Sequence, residues 1–258
     1  MWTTFALGAG VAVIIFAIVW AISVKVRNYS FLDVIWSYSI GLLALIYAFA
    51  GPGFAPRRWW LCGIGAAWSL RLGTHIFRRV LHHHPQEDPR YASLRKSWTT
   101  PFQFLLFFEF QALISVILSL PFLFAAFDPR PALHPFEIGG YVLALLALAG
   151  ESLSDFQMKR FSHDPANKDK VCRVGLWKYS RHPNYFFEAL IWWAFFLAVL
   201  PLSFGWVCLV CPLMMLWFLL KVTGIPLTEK HSVEKRGDAY REYQRTTSAF
   251  IPWFPKAS

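Results

Sequence analysis

Apolar segments long enough to cross a bilayer recur along this chain of 258 residues, and a bilayer admits few architectures. In hydrocarbon every backbone N–H and C=O must be satisfied internally, so spanning segments are helices or strands of a closed barrel. A helix needs about 20 apolar residues to cross. Such runs fall at 4–24, 31–50, 59–80, 101–126, 136–153, 184–200 and 203–222, with a polar tail over 226–258. The pattern predicts an all-α, polytopic membrane protein with seven transmembrane helices. A composition that is 56% hydrophobic and 18% aromatic excludes an ordinary soluble domain. No Ser/Gly-rich or Pro-rich linker splits the chain, so a single domain over 1–258 is expected.

The charge of +10 is distributed by loop. Basic residues crowd the connections after the first, third and fifth runs and the tail, while the intervening connections hold only Arg57, Arg58 and Arg130. The positive-inside rule then places the N-terminus outside and the C-terminus in the cytoplasm. The membrane is the bacterial inner membrane, or the endoplasmic reticulum in a eukaryote. The first run lacks a basic n-region and is longer than a signal-peptide core, so it reads as a retained anchor. Head groups and topology account for the basic loops, and no RNP-like or zinc-finger pattern occurs, so no nucleic-acid partner is expected. Cys208 and Cys211 form a C-x-x-C pair inside an apolar run, without a second pair or nearby histidines, and read as buried small hydrophobes. His82, His83 and His84 are adjacent loop histidines, and no metal is expected.

The densest polar stretch runs from Cys172 to Glu188 and includes Arg173, Lys178, Tyr179, Arg181, His182, Asn184 and Tyr185. It ends where an apolar helix begins. Pro183 suits the first turn of that helix, and Asn184 and Glu188, four apart, share one of its faces. Polar side chains at the mouth of a membrane helix are costly unless they bind something. Asp33 and Arg71 lie inside the second and third runs, and Glu151 and Asp155 close the fifth. Structural pairing, for example of Asp33 with Arg71, is one reading of these groups. An internal cavity opening to the cytoplasm is the preferred one. Lys159, Arg173, Lys178 and Arg181 offer cations to phosphates, and no G-x-G-x-x-G follows a strand, which excludes a Rossmann holder.

Residues 175–188, Gly-Leu-Trp-Lys-Tyr-Ser-Arg-His-Pro-Asn-Tyr-Phe-Phe-Glu, resemble the R-H-x-N-Y segment of membrane sterol reductases and the N-x-x-G-E segment of steroid 5-alpha-reductases. The similarity extends over about 143–255. A bacterial-type steroid 5-alpha-reductase looks closest, though R-H-P-x-Y also occurs in isoprenylcysteine carboxyl methyltransferases, which use S-adenosylmethionine. The resemblance implies a substrate-pocket half at 1–130 and a cofactor-binding half at 131–258. It implies NADPH contacts for Asp155, Asn184 and Glu188, with Arg181, His182 and Tyr185 matching the sterol-reductase form. Arg71 looks like the arginine that closes the cofactor cavity; Lys159, Arg173, Tyr179 and Tyr243 complete the expected contacts. Asp33 aligns with a glutamate that acts on the substrate carbonyl. Phe187 departs from the family's glycine, and Trp68 stands where a tyrosine is expected; Tyr38 or Tyr29 could substitute for it.

The reaction expected is NADPH-dependent reduction of a lipophilic enone, most simply the 4,5 double bond of a 3-oxo-4-ene steroid. Asp33 and Tyr38 would stabilise charge on the carbonyl oxygen. The alternative is an S-adenosylmethionine-dependent methyltransferase, and a cofactor-free transporter or lipid-binding protein is a third class. Membrane lipids and a steroid-like small molecule are the expected partners of a monomer.

Overall fold

The computed structural model describes residues 1–256; Ala257 and Ser258, the end of the expected tail, lie outside the described residues. Among the described residues all regular structure is helical. The chain divides into two compact units, 1–137 with 199–205, and 138–198 with 206–258.

The first unit holds α1 (Trp2–Val26), α2 (Phe31–Ala50), α3 (Ala55–His83), α4 (Pro89–Ser97), α5 (Pro101–Leu118) and α6 (Leu120–Phe127). Prolines open α3 to α6 in their first turns, where a missing N–H leaves no bond unmade. Pro121 also explains why the expected fourth span at 101–126 is two helices, broken at Ser119. α2 packs along α3 through small residues: Ser69 Oγ donates to the Ser37 carbonyl (2.6 Å) and accepts from the Gly41 amide (3.1 Å). A Cβ on Gly41 would overlap that serine. Small residues of this kind let helices approach closely where lipid supplies no hydrophobic drive between them.

The second unit holds most of α7 (Pro135–His163), then α8 (Pro183–Val199), α9 (Val210–Trp217) and α10 (Ile225–Thr246). α7 runs well past the expected end of the fifth span, so Asp155 and Lys159 stand on a helix. The expected seventh span is interrupted, with a 3-10 turn at Gly205–Leu209, α9, and a π turn at Phe218–Val222. The expected polar tail is largely helical, as α10, with a non-helical Gly237 at φ 52°.

Among the described residues, five helical stretches are long and apolar enough to cross a membrane: Trp2–Val26, Phe31–Ala50, Pro101–Phe127, Pro135–His163 and Gly205–Arg236. The expected third and sixth spans differ in kind. α3 is long, but Arg57, Arg58, Arg71, Arg78 and Arg79 make it too polar; α8 is apolar but only 17 residues long. Leu7, Ile14 and Ile18 of α1 are more than half exposed, a face suited to lipid.

Arg57 clamps the first unit. Its side chain is 1% exposed and pairs with Asp128 (2.9 Å) and Glu137 (2.5 Å), both buried. It also donates to the carbonyls of Arg130 (2.8 Å) and Ala132 (2.6 Å), so one guanidinium fixes the connection from α6 to α7. Removing one member of a buried charged network leaves the others uncompensated. Arg57→Ala is therefore expected to cost about 3–5 kcal/mol, read as a lower melting temperature in detergent. Burial alone would raise the Asp128 carboxyl, but Arg130 and then Arg57 hold it below its ordinary 3.8. A lowered carboxylate stabilises fully above its unfolded value and loses that contribution as pH falls through the folded one. Melting temperature should thus drop below about pH 4, and Asp128→Asn should flatten that acid limb.

Candidate functional site

The segment 172–188 is anchored on both flanks within the second unit. Gly175 adopts φ +55°, and a Cβ there would overlap the Gln157 side chain, so the tight entry into the 3-10 turn Gly175–Lys178 requires glycine. Leu176 N–H donates to Gln157 Oε1 (2.9 Å) and Trp177 Nε1 to the Ser154 carbonyl (2.9 Å), tying this turn to α7. On the other flank Tyr243 donates to the carbonyls of Trp177 and Ser180. Ser180 Oγ donates to the Phe250 carbonyl (2.8 Å), and Arg181 N–H to that of Ser248 (2.8 Å). The loop is stitched to α7 on one side and to α10 with its following segment on the other.

Arg181 and Glu229 form the hub. Arg181 Nε donates to Glu229 Oε1 (2.6 Å), and its Nη1 to the carbonyls of Gln244 (2.9 Å) and Thr247 (2.5 Å). Glu229 also accepts from Gln244 Nε2 (2.9 Å) and lies 3.2 Å from His182 Nε2. The His182 ring stacks parallel on Tyr185, 5.3 Å between centroids, and Tyr185 Oη lies 3.1 Å from Thr228 Oγ1.

Arg181, His182, Tyr185 and Thr228 line a cavity of about 220 Å³, together with Cys172, Asn184, Ser232, Arg236, Tyr240 and Tyr243. Asn184 Oδ1 is buried there without a hydrogen bond, and a buried acceptor left unmade is costly. Among the described residues Arg236 donates from its Nε, to the Lys170 carbonyl (2.9 Å). Burial, and then Glu229, push the Tyr240 hydroxyl up to about 12; burial likewise raises Tyr243 and the Cys172 thiol. The lining at neutral pH is therefore hydroxyls and a thiol rather than anions.

Arg181, His182, Asn184, Tyr185 and Tyr243, all expected from the sequence, meet at this cavity. Lys159 and Arg173 are exposed, with Arg173 over the Tyr243 ring (5.3 Å); Tyr179 is partly exposed and meets Phe254 edge-on. Glu188 is buried and accepts from Trp192 Nε1 (3.0 Å), and Asp155 is half-buried on α7. The Phe187 departure has a counterpart in α7: a Cβ on Gly150 would overlap the Phe187 ring, so the glycine lies on the facing helix.

Asp33, Tyr38 and Arg71 belong to the first unit. Asp33 accepts from Arg90 Nη2 (2.5 Å) and Tyr91 Oη (2.6 Å), so both carboxylate oxygens are engaged by α4. The structural pairing that the sequence offered as one reading of Asp33 is thus made with Arg90 at 2.5 Å. Tyr38 Oη lies 2.9 Å from Thr74 Oγ1, and Gly73 makes room for its ring, since a Cβ there would stand 2.7 Å from it. Trp68 is fully buried, Tyr29 stacks on Phe104 (3.8 Å), and Arg71 is half-buried on α3.

Apart from Tyr243, sequence reasoning missed what α10 contributes. Glu229, Ser232, Arg236 and Tyr240 recur with Tyr243 at helical spacing, a signal hidden by treating 226–258 as one polar tail. Glu109 was also passed over, although it stands in α5 with a buried Oε2 that has no hydrogen bond.

Residues 19–247 match the family described as Protein of unknown function (DUF1295). The chain belongs to this family. The match takes in every residue of the cavity described above. Over 96% of its length this DUF1295 protein is 26% identical to Uncharacterized protein C594.04c of Schizosaccharomyces pombe, spanning 79% of that relative. No solved structure matches the chain significantly.

Because Glu229 gathers Arg181, His182 and Gln244, Glu229→Ala should leave the buried Arg181 guanidinium without its carboxylate. A loss of about 3 kcal/mol is expected, with faster amide exchange across 176–182 as the local signature.

Proposed function

We propose that this DUF1295 protein reduces the polarised carbon–carbon double bond of a lipophilic enone, most simply a 3-oxo-4-ene steroid, with NADPH as reductant. The observation that carries the reading is Asn184: on the Arg-His-Pro-Asn-Tyr turn, at the start of an apolar helix, its carbonyl oxygen is buried in a cavity and lacks a donor. A carboxamide N–H or a ribose hydroxyl would supply one. The resemblance of that turn to membrane sterol and steroid reductases supports the same assignment.

The lining suits one end of a dinucleotide. About 220 Å³ is below the roughly 300–1,000 Å³ of drug-sized pockets, so the cavity has room for part of such a molecule. Asn184 would accept from it, the Tyr185 and Thr228 hydroxyls would bond its sugar, and the terminal nitrogens of Arg236 would meet a phosphate. Arg181 would act by positioning, since its Nε and Nη1 are engaged with Glu229 and the end of α10. NADPH, when bound, would supply the hydride for the β-carbon of the enone, and the resulting enolate would take a proton from water at its α-carbon.

In the first unit the group suited to the substrate oxygen is Tyr38. Thr74 can donate to the phenol, freeing the phenolic O–H to donate to a carbonyl on which negative charge builds. Asp33, with both oxygens accepting from α4, holds that helix in place.

Purified protein should gain about 2.7 kcal/mol of stability at a hundredfold excess of NADPH over its dissociation constant. Asn184→Ala should lose most of that gain, read by melting temperature. Tyr38→Phe should keep it while slowing enone-dependent NADPH oxidation by about 10²–10³-fold, the effect of removing one oxyanion donor. Stabilisation by S-adenosylmethionine and not by NADPH would overturn the reading in favour of methyl transfer.

A further inference from the structure

We propose that a basic hollow and the aromatic strap beside it dock the second unit onto acidic phospholipid head groups at the bilayer surface. The hollow, about 260 Å³, is lined by Arg173, Lys178, Thr246, Thr247, Pro255 and Lys256. Among the described residues it holds three cations and no carboxylate. None of the three forms an ion pair among the described residues; Arg173 and Lys178 rest instead over the rings of Tyr243 and Tyr179. A phosphodiester is the complementary ligand, since a guanidinium fork and ammonium groups match its oxygens.

The strap identifies the source of that phosphate as a membrane. Ile251, Trp253 and Phe254 are 61%, 70% and 75% exposed, next to the hollow in sequence. Their backbone is nevertheless fixed: Trp253 N–H donates to the Tyr179 carbonyl (2.9 Å) and Lys256 N–H to that of Thr246 (2.8 Å). Phe254 meets the Tyr179 ring edge-on at 6.1 Å, and the apolar helix α8 begins at Pro183, just beyond. The exposed rings therefore stand level with the entrance of a helix suited to hydrocarbon, the depth at which Trp and its neighbours favour a bilayer. A soluble phosphate would use the cations and leave the rings in water, whereas a lipid uses both. Acidic leaflets attract such basic clusters over about a Debye length.

The strap also carries the Phe250 and Ser248 carbonyls that accept from Ser180 and Arg181. Lipid docking would thereby steady the loop that walls the 220 Å³ cavity.

Amide exchange of the full chain, compared in nanodiscs of phosphatidylcholine alone and of phosphatidylcholine with phosphatidylglycerol, tests the proposal. Exchange at Trp253 and Lys256 should slow several-fold in the acidic discs. High salt should return it to the neutral-disc rate, as should Arg173→Gln/Lys178→Gln/Lys256→Gln. The salt arm needs no substitution, so it decides the matter even if that variant folds poorly. Equal exchange in the two discs would overturn the proposal. So would inorganic phosphate reproducing the protection in neutral discs, or protection that survives in Trp253→Ser/Phe254→Ser. The readout uses neither NADPH nor substrate, so its outcome is independent of the reductase reading.

Discussion

Close approach between helices is the condition on which both units depend. Helices in hydrocarbon gain little from excluding lipid, so they must be held by contact and by hydrogen bonds between them. In the first unit Gly41 lies against Ser69, Gly65 against the Phe122 ring and Gly73 against Tyr38. In the second, Gly140 lies against the backbone of α8 at Ala194 and Ala198, and Gly150 against Phe187. Two of these contacts bear directly on chemistry. Gly73 sets the position of a candidate hydrogen-bond donor, and Gly150 admits a large ring one residue before the buried Glu188.

Much of the helical framework was legible because length and hydropathy are local properties of the chain. The runs at 4–24 and 31–50 correspond closely to α1 and α2. What local reading could not supply was the effect of polar groups at helix ends. α3 reads as a span until its five arginines are weighed together, and α7 outlasts its apolar stretch because polar residues also sustain a helix at the surface. α10 was hidden for the opposite reason: its pattern is polar throughout, yet Tyr240 and Tyr243 are buried.

The cavity was legible as a motif and only partly as a set of roles. The residues of the Arg-His-Pro-Asn-Tyr turn do gather around one hollow, which the adjacency of cations, aromatics and amides had suggested. Pairing is a different kind of information. That Asp33 meets Arg90 and Tyr91, 57 and 58 positions away, depends on how a loop folds back, and no spacing encodes it. The same holds for Arg57, near the start of α3, which pairs with Asp128 and Glu137.

The motif arginine has a further consequence for how the second unit holds together. Gln244 and Thr247 lie at the C-terminal end of α10, where the last carbonyls of a helix have no partner along the helix itself. By donating to both, Arg181 serves as the C-terminal cap of a helix 63 residues further along the chain, and its positive charge suits the negative end of that helix dipole. A lysine, with a single ammonium point, could not direct separate donors at Glu229 and at the two carbonyls. Fraying of the last turn of α10 and loosening of the motif loop are thus one event, and the two segments belong to a single cooperative folding element.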